Sequence, residues 1–149
     1  MADFRTLSET VLASPQIAPS DLDAARDEGV TMVVNNRPDG ESGDQPDGAA
    51  IEAAARERGM DYVAIPISHA GFSMPQVDAM AEALGRASEG GNKVLAFCRS
   101  GTRSTLLWAM AEAKRGGDPD RISKAAADAG YNVGPVRGTM EARAAQAKG

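Results

Sequence analysis

The sequence predicts a single α/β domain over residues 1–149, with three layers in which a central, mostly parallel sheet is flanked by helices. Short apolar runs of strand length alternate with Ala-rich stretches of helical periodicity. A length of 149 residues suits one domain with its own core. Aromatic residues make up only 4% of the chain, so aliphatic side chains and alanine must build that core.

The composition excludes several classes of protein. One Cys and one His leave no internal disulfide and no zinc site of the usual Cys/His type. A formal net charge of −5 argues against nucleic acid or an anionic membrane as a partner, because both bind a concentrated basic face. No run approaches the ~18 apolar residues of a membrane span, and the first residues lack the pattern of a secretory signal. We therefore expect a cytoplasmic protein.

The first half of the chain predicts two helices, two strands and one long loop. A helix begins after Pro19, with Ser20 as its N-cap, and ends at Gly29. The β-branched run 30–34 predicts a strand, and residues 35–48, rich in Gly, Pro and acids, predict a long loop of the kind that often carries function. A helix over 49–58 and a strand over 62–67 follow.

The second half predicts one central strand among four helices. Ser73 caps a helix whose apolar side chains recur at helical spacing. The nearly all-apolar run 93–98 is typical of a central strand buried on both faces. A turn over 99–102 leads into a helix from Arg103, on which Leu107 and Trp108 are expected in the core. Two further helices are predicted over 119–129 and 138–147.

The candidate site lies where the central strand ends, at Cys98. The carboxyl edge of such a sheet is where ligands bind, and the N–H groups of the turn and of the next helix point towards one spot above the sulfur. Those donors and Arg103 favour a thiolate and can hold an oxyanion. Gly101 permits the close backbone approach, and the hydroxyls of Thr102 and Ser104 add donors.

A cysteine that ends an apolar strand is, taken alone, more often a buried structural residue. In the same view Arg99 and Arg103 are ordinary surface cations. The combination of Cys98, a glycine three residues later and an arginine five residues later at a strand-to-helix turn favours a nucleophile instead.

The segment Cys98-Arg99-Ser100-Gly101-Thr102-Arg103-Ser104 resembles the active-site loop of rhodanese sulfurtransferases, which also have four residues between Cys and Arg. The strand Ile65-Pro66-Ile67, followed by a loop and a helix, is instead similar to the dual-specificity phosphatases. Both halves together resemble the bacterial beta-lactamase hydrolase-like family, through three stretches: Gln16-Ile17-Ala18-Pro19, Asn36-Arg37-Pro38-Asp39-Gly40-Glu41 and 97–104. This resemblance implies a cysteine-phosphatase-like topology, carrying either sulfurtransferase or phosphatase chemistry.

Sulfur transfer is the reaction expected first. Cysteine phosphatases have five residues between Cys and Arg, and a loop one residue shorter, by up to ~3.5 Å of chain, suits a terminal sulfur better than a phosphate ester. Cys98 then takes sulfur from thiosulfate or a persulfide, a small anionic donor, while Arg99, Ser100 and other loop residues bind the anion. With no second Cys in the chain, the acceptor must be an external thiol such as glutathione or a protein thiol. Neither metal nor organic cofactor is required.

Two alternatives stay open at this point. In a phosphatase, Cys98 attacks a phosphoester, Arg103 clamps the phosphate and Asp39 or His69 donates the proton, with Glu41 a further candidate acid. Asp39 and Glu41 also fit plain turn chemistry, His69 fits a solvated loop, and Arg37 fits a substrate contact as well as an ion pair. In a redox sensor or anion-binding module, Cys98 is oxidised reversibly.

Overall fold

Five strands form one sheet in the computed structural model, which describes residues 2–68 and 70–148. The strands are β1 (Arg5–Thr6), β2 (Val11–Ser14), β3 (Val30–Asn35), β4 (Asp61–Ala64) and β5 (Lys93–Phe97), in the spatial order β1-β2-β5-β3-β4. Only the pair β1 and β2 is antiparallel. The mostly parallel sheet predicted from the sequence is therefore confirmed.

Strand β5 lies at the centre of the sheet, as its apolar run predicts. Side chains from Val94 to Phe97 are at most 1% exposed, because Val94 and Ala96 face one core while Leu95 and Phe97 face the other. The strand pairs in parallel with β2 on one side and β3 on the other. This central position carries the carboxyl end of β5 to the middle of the sheet edge.

Six helices in the described residues cover the two faces of the sheet: α1 (Leu22–Asp27), α2 (Gly48–Glu57), α3 (Met74–Glu89), α4 (Thr102–Lys114), α5 (Pro119–Asp128) and α6 (Arg137–Lys148). Helices α1 and α2 bury Leu22 and Ile51 against one face. The other four pack on the opposite face, where Leu107 and Trp108 of α4 lie in the core as predicted. No helix in the described ranges is long and apolar enough to cross a membrane.

The structure differs from the sequence prediction mainly before residue 30. Strands β1 and β2 were not predicted, because the four-residue run Val11–Ser14 has no alternation and is recognisable only by its pairing with β5. Ser20 does not cap α1. It lies inside a short 3-10 helix (Pro19–Asp21), where the Asp21 carboxylate accepts the Ala18 N–H at 2.8 Å.

Candidate active site

Cys98 follows β5 directly and lies buried beneath the turn that leads into α4. Its backbone N–H donates to the Ser14 carbonyl of β2, at 3.3 Å, which continues the sheet pairing by one residue. Its Sγ accepts a hydrogen bond from the Gly101 N–H at 3.1 Å. The sequence predicts several backbone donors around the sulfur, and the structure shows one, the N–H of Gly101.

The turn owes its shape to Gly101, whose φ of +91° lies in the left-handed region. Helix α4 begins at the next residue, so the N–H groups of its first turn have no acceptor within the helix. The positive end of the helix dipole is thereby directed at the end of β5. A negative charge on the sulfur, or on an anion bound above it, is stabilised at this point.

Arg103 is held in place by two neighbours. Its Nη1 donates to the Ile67 carbonyl at 2.6 Å and to Glu41 Oε2 at 2.7 Å, while Nη2 donates to Glu41 Oε1 at 2.8 Å. A guanidinium has five N–H donors, and these contacts use three of them. Neither Glu41 nor Ile67 engages the Nε–H and the second Nη2–H, which form one edge of the group. That edge matches two oxygens of a tetrahedral anion. Hydrogen bonding to Glu41 first, and then the charge of Cys98, raise the pKa of Arg103, so the guanidinium also interacts with the sulfur.

Glu41 joins Arg103 to a second arginine. Arg37, only 5% exposed, donates from Nε to Glu41 Oε1 at 2.9 Å and from Nη1 to Gln16 Oε1 at 3.0 Å. Hydrogen bonds from Arg103 first, and then from Arg37, lower the pKa of Glu41 to about 2. The Glu41 carboxylate is therefore charged at neutral pH, which makes it an anchor for Arg103 and a poor proton donor.

Of the acids considered from the sequence, Asp39 is engaged elsewhere. Its Oδ1 accepts the Gly48 N–H, at 2.8 Å, at the N-terminus of α2. This contact agrees with the turn role considered for Asp39, and no hydrogen bond joins Asp39 to Cys98 or Arg103 in the described residues. His69 lies outside the described residues. The proton-donor roles of Asp39 and His69 stay predictions.

The other predicted loop residues separate into an exposed group and a buried one. Arg99, Ser100 and Thr102 are exposed, and the Ser100 hydroxyl donates to Thr102 Oγ1 at 3.0 Å. Ser104 is fully buried and donates to Asn36 Oδ1 at 2.7 Å, which ties α4 to the segment after β3. Its hydroxyl thus has an internal partner, whereas the exposed three can meet an incoming anion. Their binding roles also stay predictions.

Sequence reasoning did not single out every residue of this cluster. Gln16 and Asn36 appeared only among the residues that carried the family resemblance, although each follows the carboxyl end of a strand at the edge where ligands bind. A position just after a strand end would indicate both as site residues, once β2 is recognised as a strand. Tyr131 is not among the predicted site residues, and its hydroxyl donates to the Ser100 carbonyl at 3.1 Å. No local pattern around Tyr131 indicates this contact.

Known proteins resemble the chain over most of its length. The profile of the family described as "Beta-lactamase hydrolase-like protein, phosphatase-like domain" matches residues 3–115. A beta-lactamase hydrolase-like protein of Agrobacterium fabrum is 35% identical over 107 residues, which are 72% of this chain and 24% of that protein. In the protein of the same name from Xylella fastidiosa, strain Temecula1, the identity is 37% over 84 residues, 56% of this chain and 19% of the relative. The chain thus spans about a quarter or less of the length of these relatives.

Solved structures share the fold. A candidate phosphatase of Neisseria meningitidis superposes with a TM-score of 0.78 at 30% identity, over 93% of this chain and 96% of that one. PTPMT1 superposes with a TM-score of 0.77 at 13% identity, over 98% and 99% of the two chains. The predicted cysteine-phosphatase-like topology is therefore confirmed. The chain belongs to the family of phosphatase-like domains of beta-lactamase hydrolase-like proteins.

Proposed function

We propose that this domain is a cysteine-dependent phosphatase. The observation that carries the proposal is the orientation of Arg103, which Glu41 and Ile67 hold with one edge unused by them, next to a buried thiol at a helix N-terminus. The Cys98 thiolate attacks phosphorus, the bond from phosphorus to the ester oxygen breaks, and the alcohol leaves with a proton. Water then attacks the phosphocysteine, which releases inorganic phosphate and restores the thiolate.

Two kinds of support favour the phosphatase over the sulfurtransferase expected first from the sequence. The family is named phosphatase-like, and the relative from Neisseria meningitidis is described as a candidate phosphatase. The Arg103 edge also presents two parallel donors, which suit two equatorial oxygens of a phosphoryl group. The proposed proton donor is His69 or Asp39, and aryl phosphates, which have good leaving groups, depend on it least.

Sulfur transfer is the second candidate, and loop length favours it. With four residues between Cys98 and Arg103, the turn places one N–H above the sulfur, from Gly101. In this reaction the thiolate attacks the outer sulfur of thiosulfate, the S–S bond breaks and sulfite leaves with the electron pair. An external thiolate then attacks the outer sulfur of the Cys98 persulfide and releases the Cys98 thiolate. Neither step requires a protein acid.

One paired assay tests both reactions. The wild-type chain, Cys98→Ser, Arg103→Lys and the control Arg86→Lys are each given an aryl phosphate, or thiosulfate with cyanide. Arg86 is an exposed arginine on α3 with no ion pair among the described residues. We expect phosphate release that Cys98→Ser abolishes, that Arg103→Lys lowers about 100-fold and that Arg86→Lys leaves unchanged. Intact mass should show a transient gain of about 80 Da for phosphocysteine.

Other outcomes would contradict the phosphatase. Cys98-dependent thiocyanate formation without phosphate release, with a gain of about 32 Da, replaces the phosphatase by the sulfurtransferase. No turnover of either substrate, or equal activity of Cys98→Ser, overturns both proposed catalytic roles for Cys98 and leaves an anion-binding or redox module.

A further inference from the structure

The peptide group between Ser100 and Gly101 connects the nucleophile to a tyrosine far along the chain. Its N–H donates to Cys98 Sγ at 3.1 Å, and its C=O accepts from the Tyr131 hydroxyl at 3.1 Å. Because a trans peptide is planar, with its N–H and C=O pointing in opposite directions, a constraint on the oxygen also orients the hydrogen. Tyr131 therefore holds the outer end of the group whose inner end faces the sulfur.

Tyr131 is itself firmly placed. Its side chain is 9% exposed, and a Cβ added at Gly101 would lie 2.1 Å from the Tyr131 hydroxyl oxygen. The Arg5 guanidinium lies over its ring, 5.3 Å from the centroid, and Arg5 Nη1 donates to the Ala129 carbonyl at 3.2 Å. Contacts from β1 and from residues 98–103, which we call the cysteine loop, thus fix the ring in one position.

We infer that Tyr131 is a positioning residue for Cys98. It orients the peptide between Ser100 and Gly101 and, by hydrogen bonding to the carbonyl, polarises that peptide so that its N–H binds a sulfur anion more strongly. The inference rests on the proposed function only in taking Cys98 as the nucleophile, and it holds for either candidate reaction. Tyr131 lies beyond the 3–115 segment that matches the family, so this contribution comes from outside the matched part.

The protonation state of Tyr131 agrees with a donor role. Burial raises the pKa of Tyr131 above its ordinary value, so the hydroxyl retains at neutral pH the proton that it donates.

The test compares Tyr131→Phe with Tyr62→Phe. The chain has two tyrosines, and Tyr62 is a half-buried residue whose hydroxyl accepts from Asn35 Nδ2 at 2.9 Å. The rate of Cys98 alkylation by iodoacetamide is measured from pH 5 to 10 on folded protein. Loss of the Tyr131 hydroxyl should move the profile to higher pH and lower the rate at pH 7 about tenfold. Tyr62→Phe should match the wild type.

Turnover gives a second readout. With the substrate that the wild type accepts, Tyr131→Phe should lower kcat about tenfold with KM within about twofold, because the lost contact acts on the nucleophile. A Tyr131→Phe protein that is folded and has an alkylation profile identical to wild type overturns the inference. Absence of wild-type turnover counts against the proposed function alone, because alkylation requires no substrate.

A third measurement keeps the hydroxyl of Tyr131 and changes only its strength as a donor. In the Tyr62→Phe background, biosynthetic 3-fluorotyrosine is incorporated at residue 131 only. The fluorinated phenol is a stronger donor, so the alkylation profile should move to lower pH, opposite to the shift in Tyr131→Phe. An unmoved profile contradicts the proposed role of the hydroxyl.

Discussion

Glu41 connects the charge of the site to its geometry. One carboxylate binds two guanidinium groups, and its side chain is 18% exposed while that of Arg37 is 5% exposed. Without Glu41, two arginines would face each other with little water to screen them. Glu41 therefore orients Arg103 and offsets the repulsion between Arg103 and Arg37.

The stability of the fold should depend on the ionisation of Glu41. Its pKa in the folded protein, about 2, lies below its ordinary value of 4.5, so the stabilisation is fully present above about pH 4.5 and is lost as the pH falls towards 2. We expect Glu41→Gln to reduce the free energy of unfolding at pH 7 by about 2 kcal/mol, allowing for partial exposure. Urea unfolding of both proteins between pH 2 and 7 measures the difference. A difference independent of pH contradicts this origin.

Two constraints act on Gly101, a left-handed φ and a close contact with Tyr131, whereas only the first acts on Gly116. Its φ is +91°, and an added Cβ would lie 2.9 Å from Tyr131 Cζ as well as against the hydroxyl. Gly116 has a φ of +99°, and an added Cβ there meets no atom within 4 Å. Gly116→Ala should lose about 1 kcal/mol of stability and retain activity, whereas Gly101→Ala should lose more stability and at least tenfold in turnover. Thermal unfolding and the paired assay check both, and equal behaviour of the two variants would exclude the Tyr131 contact as the cause.

Among the elements, the loop between β3 and α2 is the one that supplies charged side chains to the site. It carries Arg37 and Glu41 to the cysteine loop, while Asp39 fastens its other end to the start of α2. The opposite connection, from β4 to α3, contributes the Ile67 carbonyl to Arg103. Two loops from neighbouring strands thus aim one side chain of α4.

The variant Asp39→Asn separates the capping role of Asp39 from the catalytic role predicted from the sequence. An amide oxygen still accepts the Gly48 N–H but cannot donate a proton as an acid. We expect stability within about 0.5 kcal/mol of wild type. Turnover of an alkyl phosphate, whose poor leaving group requires an acid, should stay within about twofold. Asp39→Ala, the companion variant, should lose about 1 kcal/mol because the cap is removed. A fall of about 100-fold in turnover for Asp39→Asn would assign the acid to Asp39 instead.

For the whole molecule, the segment after the family match completes the core. Helix α4 is covered by α5 and α6, which bury Ile122 and Met140 in the same cluster as Leu107 and Trp108. The matched segment 3–115 therefore lacks side chains that the fold requires. The segment after residue 115 also supplies Tyr131 to the cysteine loop.

Removing residues 116–149 should abolish cooperative folding. Each large buried side chain lost is worth about 2 kcal/mol, and a domain has only about 5–15 kcal/mol in total. A chain ending at Ala144 is the control, because residues 145–148 are exposed and Ala144 is buried. Circular dichroism melting should show a transition in the control and none in the shorter chain. A cooperative melt of residues 1–115 would contradict the requirement for α5 and α6.

The sequence by itself determined what depends on neighbours along the chain. Apolar runs and helical spacing predicted β3, β5 and the helices, and the spacing of Cys98, Gly101 and Arg103 predicted the loop, because strand burial, turn conformation and helix start are local properties. Tertiary structure alone decided the partners. Glu41 is separated from Arg103 by 62 residues and Tyr131 from Ser100 by 31. Those contacts, like the pairing of β2 with β5, depend on sheet order and helix packing, which no local spacing encodes.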